Sequence, residues 1–135
     1  TGFAVGLQWR ILHNDGSGWF EQHSSTAPGS FQSVWGSAVD DVFAVGEGGT
    51  IWHYDGFSWT GQASGTTNSL IEVFGSASDD VYAVGVGSTV LHYDGLAWSP
   101  VDVGVSSDFY GLWVSADGRA VFIVGSGGLI VAGRK

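Results

Sequence analysis

Three histidines stand two residues ahead of an aspartate, in His13-Asn14-Asp15, His53-Tyr54-Asp55 and His92-Tyr93-Asp94, and glycine follows each aspartate. Two aspartate pairs, Asp40-Asp41 and Asp79-Asp80, precede the second and third of these groups. Histidines in threes suggest a metal centre, and paired carboxylates suggest acid–base catalysis or a calcium site. Serine, histidine and aspartate together raise nucleophilic catalysis. Spacing argues against each. About 40 residues separate successive histidines, which places them at equivalent positions of separate units and not around one ion. Adjacent strand residues point to opposite faces, so neither aspartate pair converges on one substrate. The expectation for each pair is a turn in which one aspartate caps its own backbone. No serine sits in a nucleophile elbow, so the chain is not expected to be an enzyme, and neither metal nor cofactor is expected.

These residues belong to a repeat. Val42–Trp59, VFAVGEGGTIWHYDGFSW, returns as VYAVGVGSTVLHYDGLAW over Val81–Trp98. A copy that enters midway, FAVGLQWRILHNDGSGW, occupies Phe3–Trp19, and VFIVGSGGLIVAGRK closes the chain from Val121 to Lys135. The chain therefore divides into units at about 1–30 (partial), 31–69, 70–108 and 109–135 (partial). A full unit reads as four short strands. Strand A covers Ser33–Gly36, strand B Val42–Val45 and strand C Thr50–Tyr54, and strand D starts near Trp59. Val, Ile, Phe, Tyr, Trp and Thr fill these runs, with Gly, Asp and Ser between them. No stretch has a 3.6-residue apolar period, so essentially no helix is expected. Four antiparallel strands repeated every 40 residues or so describe β-propeller blades. A β-sandwich also spaces its strands this way but does not require near-identical units. The expected class is all-β, a single propeller arc.

Composition removes several partners. The net charge is −9, and the only cations are Arg10, Arg119, Arg134 and Lys135. Phosphate backbones and anionic membranes need clustered cations, so neither nucleic acid nor membrane insertion is expected. No apolar run approaches the roughly 20 residues of a spanning helix. Cysteine is absent, so stability must come from burial and strand pairing. Ser-, Thr- and Gly-rich connectors and the start at Thr1 suit a secreted or cell-surface protein.

The turns His13–Trp19, His53–Trp59 and His92–Trp98 resemble Asp-box repeats, and Ala44–Ile51 resembles repeats of bacterial propellers. Such repeats occur in sialidase-type and photosystem-assembly-type propellers. The resemblance implies a structural role for Asp15, Gly16 and Trp19, for Asp55, Gly56 and Trp59, and for Asp94, Gly95 and Trp98. Each aspartate would accept from turn amides and each tryptophan would pack under its blade. No arginine triad of a sialidase is present.

The first copy lacks strand A and the last lacks strand D. Propellers have about four to eight blades, and an arc exposes apolar faces and sheet edges. Closure by a second copy, giving a head-to-tail homo-oligomer, is the leading expectation. The alternatives are a portion of a longer propeller and a small closed ring. Candidate ligand-contacting residues are those where copies differ or aromatics recur: Trp9 and Arg10 in the first B–C turn, Glu47, Trp52, and Trp35 and Trp113 on strand A. The expected function is a non-enzymatic multivalent binding module of lectin type with a glycan ligand. The alternatives are a protein-assembly scaffold, or a propeller fragment or engineered repeat without a ligand.

Overall fold

The structure is a computed structural model and describes residues 2–134. Among the described residues, fourteen strands form four antiparallel sheets, each a simple meander. Blade 1 contains β1 (Gly2–Val5), β2 (Ile11–Asn14) and β3 (Trp19–His23). Blade 2 contains β4 (Phe31–Ala38), β5 (Asp41–Gly46), β6 (Ile51–Tyr54) and β7 (Trp59–Gln62). Blade 3 contains β8 (Leu70–Ala77), β9 (Asp80–Gly85), β10 (Thr89–Tyr93) and β11 (Trp98–Pro100). Blade 4 contains β12 (Phe109–Val114), β13 (Ala120–Gly125) and β14 (Leu129–Arg134).

Two details depart from expectation. The first strand of each full blade is longer than foreseen, because β4 and β8 continue past the recurring Gly36 and Gly75 through a bulge. Single 3-10 turns, Glu47–Gly49 and Ser126–Gly128, occupy two of the B–C connections where no helix was expected. Pro100 is tolerated because it lies on the edge strand β11, where a missing N–H breaks no central ladder.

The core lies between sheets. Strands β4, β8 and β12 lie side by side, and β1 lies against β4. Alternation along each strand sends one set of side chains to the preceding blade and the other to the next. On β5, Ala44 faces Ile11 and Phe31 at the junction with blade 1, whereas Phe43 and Val45 join Val73, Val81 and Leu91 at the junction with blade 3. The third junction gathers Val84, Val90, Phe109, Val114 and Ile123. Phe43, Val45, Ile51, Leu70 and Val84 are each no more than 1% exposed. Burial of one such side chain is worth about 1.5–3 kcal/mol.

Polar ties span the same junctions. Trp59 Nε1 donates to Gln22 Oε1 of blade 1 at 3.0 Å. Trp98 Nε1 donates to Gln62 Oε1 of blade 2 at 2.8 Å. Gln22 and Gln62 are each the third residue after the repeat tryptophan, and in blade 3 that place is taken by Val101.

Candidate functional site

The Asp-Gly turns are built by their aspartates. Asp55 Oδ1 accepts from the Phe57 and Ser58 amides at 2.8 and 2.9 Å. Asp94 Oδ1 accepts from Leu96 and Ala97 at 2.9 and 3.0 Å. Gly56 and Gly95 follow with φ of 98°, a conformation that L side chains rarely adopt. Backbone N–H groups from Ser58, then Phe57, hold Asp55 below the usual carboxylate range; those of Ala97, then Leu96, do the same for Asp94. In blade 1 Asp15 is lowered chiefly by the Ser17 hydroxyl and then by its amide.

The tryptophans that follow these turns pack toward the preceding blade. Trp59 meets Phe3 at 6.0 Å and Tyr54 at 5.2 Å; Trp98 meets Phe43 at 5.7 Å and Tyr93 at 5.2 Å. Trp19 is the exception. No blade precedes it among the described residues, and it is 55% exposed against 8% for Trp98. The expectation of a covered tryptophan in each copy therefore holds only where a preceding blade exists.

The aspartate pairs and histidines form a second repeated element. His53 Nε2 lies 2.6 Å from Asp41 Oδ1, and the Ser37 hydroxyl donates to the other carboxylate oxygen. In blade 3 His92 Nε2 lies 2.8 Å from Asp80 Oδ1, and Ser76 donates to Asp80. Each serine is the residue skipped by a register shift, between Gly36 and Ala38 on β4 and between Gly75 and Ala77 on β8. The bulge re-aims it at the carboxylate. The expected self-capping turn is thus corrected: the second aspartate of each pair is clamped between a serine and a histidine from another strand. Asp40 and Asp79, the first of each pair, are exposed.

The order of contacts limits the chemistry. Serine donates to aspartate and not to imidazole, so the histidine is not placed as a base for the serine hydroxyl. Blade 4 has lost both ends of the couple. Ala120 stands where Asp41 and Asp80 stand, and Ala132 where His53 and His92 stand. In blade 1 His13 is stacked on Phe3 at 4.3 Å, with Nδ1 3.3 Å from Gln22 Nε2 and Nε2 buried without a partner among the described residues.

The six candidate ligand-contacting residues do not converge. Trp9 folds inward, edge-on to Phe31 at 5.0 Å, and its carbonyl accepts from His23 Nδ1 at 2.9 Å. This needs left-handed backbone at both Gln8 and Trp9, with φ of 58° and 54°. Trp52 lies on the other side of the same cluster, 5.8 Å from Phe31 and 4.5 Å from His23. Arg10 pairs with Glu21 at 2.9 Å on the surface. Glu47 accepts from Ser30 Oγ at 3.0 Å. Trp35 packs toward blade 3, with Phe74 at 6.2 Å. Trp113 remains half exposed on blade 4, 5.9 Å from the exposed Phe122.

Sequence reasoning passed over Phe122 and Ile130, which are 43% and 67% exposed. They occupy the repeat positions of Phe43 and Ile51, so the repeat marked them as junction residues without showing that their junction lacks a neighbour. On the opposite end, a groove of about 700 Å³ is lined by Ala4, Val5, Leu7, Arg10 and Leu12.

Four side-by-side antiparallel sheets with their cores between them define an arc of a β-propeller. No family model matches the chain, and no curated protein does. Among solved structures it is similar to YCF48 from Cyanidioschyzon merolae, with a TM-score of 0.72 and 13% identity over 99% of this chain. The chain spans 50% of that protein's length.

Proposed function

We propose that this propeller arc is a non-enzymatic scaffold that engages other proteins. One observation carries the reading. The recurrent Ser, Asp and His residues are engaged with one another in the same geometry in two blades, while large apolar side chains stand exposed, Phe57 and Leu96 at the Asp-Gly turns of the inner blades and Trp19, Trp113 and Phe122 on the end blades. Polar groups engaged in this way hold turns in place, and half-exposed aromatics on a rigid sheet are what protein interfaces use as anchors. The Asp-Gly-x-x-Trp turns belong to this scaffold as Asp-box-like structural elements. The likeness to YCF48 agrees with the propeller frame.

Affinity capture from the source organism should retrieve one stoichiometric protein partner, and Phe122→Asp should reduce its retention at least tenfold. Turnover of a hydrolase substrate that disappears in His92→Ala while the fold persists would overturn the reading.

A glycan-binding function is the second reading, favoured by the half-exposed Trp113 beside Phe122, an aromatic platform of the kind sugars stack on. Sugar-dependent quenching of tryptophan fluorescence, lost in Trp113→Ala, supports it; a blank glycan array removes it.

A further inference from the structure

We propose that the face of the arc formed by its Asp-Gly turns docks a protein segment whose apolar residues are flanked by Lys or Arg, with Phe57 and Leu96 as the anchors on this chain. The inference rests on the scaffold reading and gives it a surface and a partner chemistry. Phe57 and Leu96 follow the glycine of the turns in blades 2 and 3 and are 95% and 90% exposed. Chain ends do not explain this. The turn that carries Phe57 stands between the equivalent turns of blades 1 and 3, and Phe57 is the more exposed of the two. Nor does the turn need an apolar residue at that place. What it uses is the backbone N–H, which donates to Asp55 at 2.8 Å in blade 2 and to Asp94 at 2.9 Å in blade 3. Blade 1 makes the same bond with Ser17, whose amide donates to Asp15 at 2.9 Å. Large apolar side chains scattered singly over a surface carry no message. Two of them at one register of adjacent blades, projecting into water from turns that do not require them, mark a contact surface.

Charge selects the occupant. In a four-stranded meander the first and third turns lie at the same end of the sheet, so the aspartate pairs share this face with the Asp-Gly turns. The two turns of a blade touch. A Cβ on Gly56 would lie 2.9 Å from Asp40 Cβ, and one on Gly95 would lie 3.1 Å from Asp79 Cβ. Asp40, Asp41 and Asp55 therefore share the end of blade 2 with Phe57, and Asp79, Asp80 and Asp94 share that of blade 3 with Leu96. Asp40, Asp55, Asp79 and Asp94 are exposed. No Lys or Arg occurs between Arg10 and Arg119, and His53 and His92 are already bound to Asp41 and Asp80. Apolar anchors set in a field of one sign favour a partner of the opposite sign. The same face of a second copy would bring like charges together, and an anionic membrane is repelled for the same reason. Facing sheets pack about 10 Å apart, so one side chain does not cover both anchors and the partner supplies two apolar residues.

Selection from a phage-displayed random peptide library on the full chain tests the proposal. Peptides with two large apolar residues flanked by Lys or Arg are expected to be enriched. Phe57→Ser combined with Leu96→Ser places in blades 2 and 3 the residue that blade 1 carries, so the fold is retained, as circular dichroism establishes. The selected peptides bind this double variant at least tenfold more weakly. Asp40→Asn combined with Asp79→Asn, at two exposed positions, weakens binding and flattens its decline between about 0.05 and 0.5 M salt, which a purely apolar contact would not do. Failure to enrich such sequences, selection of acidic ones, or equal binding by Phe57→Ser/Leu96→Ser overturns the proposal. Self-association of the full chain that this double variant abolishes also overturns it, since the occupant is then a second copy. Affinity capture with the same double variant as bait separates this inference from the scaffold reading. A partner lost from that bait supports both. A partner retained on it but lost with Phe122→Asp overturns this inference and leaves the scaffold reading standing, whereas a full chain that retains no protein overturns both.

Discussion

Asp55 and Asp94 show how one side chain decides a turn. Each accepts two backbone amides while glycine supplies the positive φ that closes the loop. These bonds are stronger to the ionised carboxylate than to the protonated one, so the folded state holds its protons less tightly than the unfolded chain does. The stability they contribute is fully present above the unfolded value of 3.8 and is lost as pH falls through the lower folded value. Asp15 and Asp117 are shifted in the same direction and add to the same window. The melting temperature is therefore expected to drop as pH is lowered below about 4, and Asp55→Asn combined with Asp94→Asn should flatten that drop. Melts recorded between neutral pH and pH 2 check this. The aspartate pairs give a sharper contrast. Asp80 is 8% exposed and bound to His92 and Ser76, so Asp80→Ala is expected to cost about 1–3 kcal/mol. Its neighbour Asp79 is exposed, and Asp79→Ala should stay within about 0.5 kcal/mol, as urea titration of the two variants would show.

At the scale of the blade, the repeat acts through pairs that span a junction. The indole of Trp98 packs on Phe43 and also donates to Gln62 of the blade before it. Gln62→Leu removes only the acceptor, and a loss of about 0.5–1.5 kcal/mol is expected from equilibrium unfolding. Phe43→Ala removes a ring with 0% exposure and should cost about 3–5 kcal/mol. Phe122→Ala, at the same repeat position, is expected to cost the isolated chain far less, because its ring is 43% exposed. A difference of less than 1 kcal/mol between these two variants, measured on monomer, would contradict the assignment of Phe122 to an uncovered junction. The correlated losses in blade 4 follow the same logic. Once Ala120 replaces the aspartate, nothing remains for a histidine at position 132 to bond, and alanine stands there.

For the molecule as a whole, the open arc is the main consequence of fourteen strands arranged as 3, 4, 4 and 3 per sheet. Inner blades bury both faces and end blades bury one. Exposed edges and apolar faces of this kind favour association.

Four features were legible in residue order alone: the blade, its strands, the Asp-Gly turns and the approximate length of each unit. All are local, set by β-branched and aromatic runs and by the turn chemistry of aspartate and glycine, and each is written more than once. The positions of Phe43 and Phe122, or of Trp98 and Trp19, are indistinguishable in that grammar. Only the tertiary structure decides which of them is covered, because coverage depends on whether a sheet packs alongside. The partners of Asp41 and Asp80 were hidden for a related reason. His53 and His92 lie on a different strand, and a one-residue bulge in β4 and β8 brings Ser37 and Ser76 to the same carboxylate. Trp9 shows the opposite displacement. Its departure from the repeat marked it as a candidate for an exposed binding loop, yet two consecutive left-handed residues turn it inward onto Phe31, where it fills the junction between blades 1 and 2.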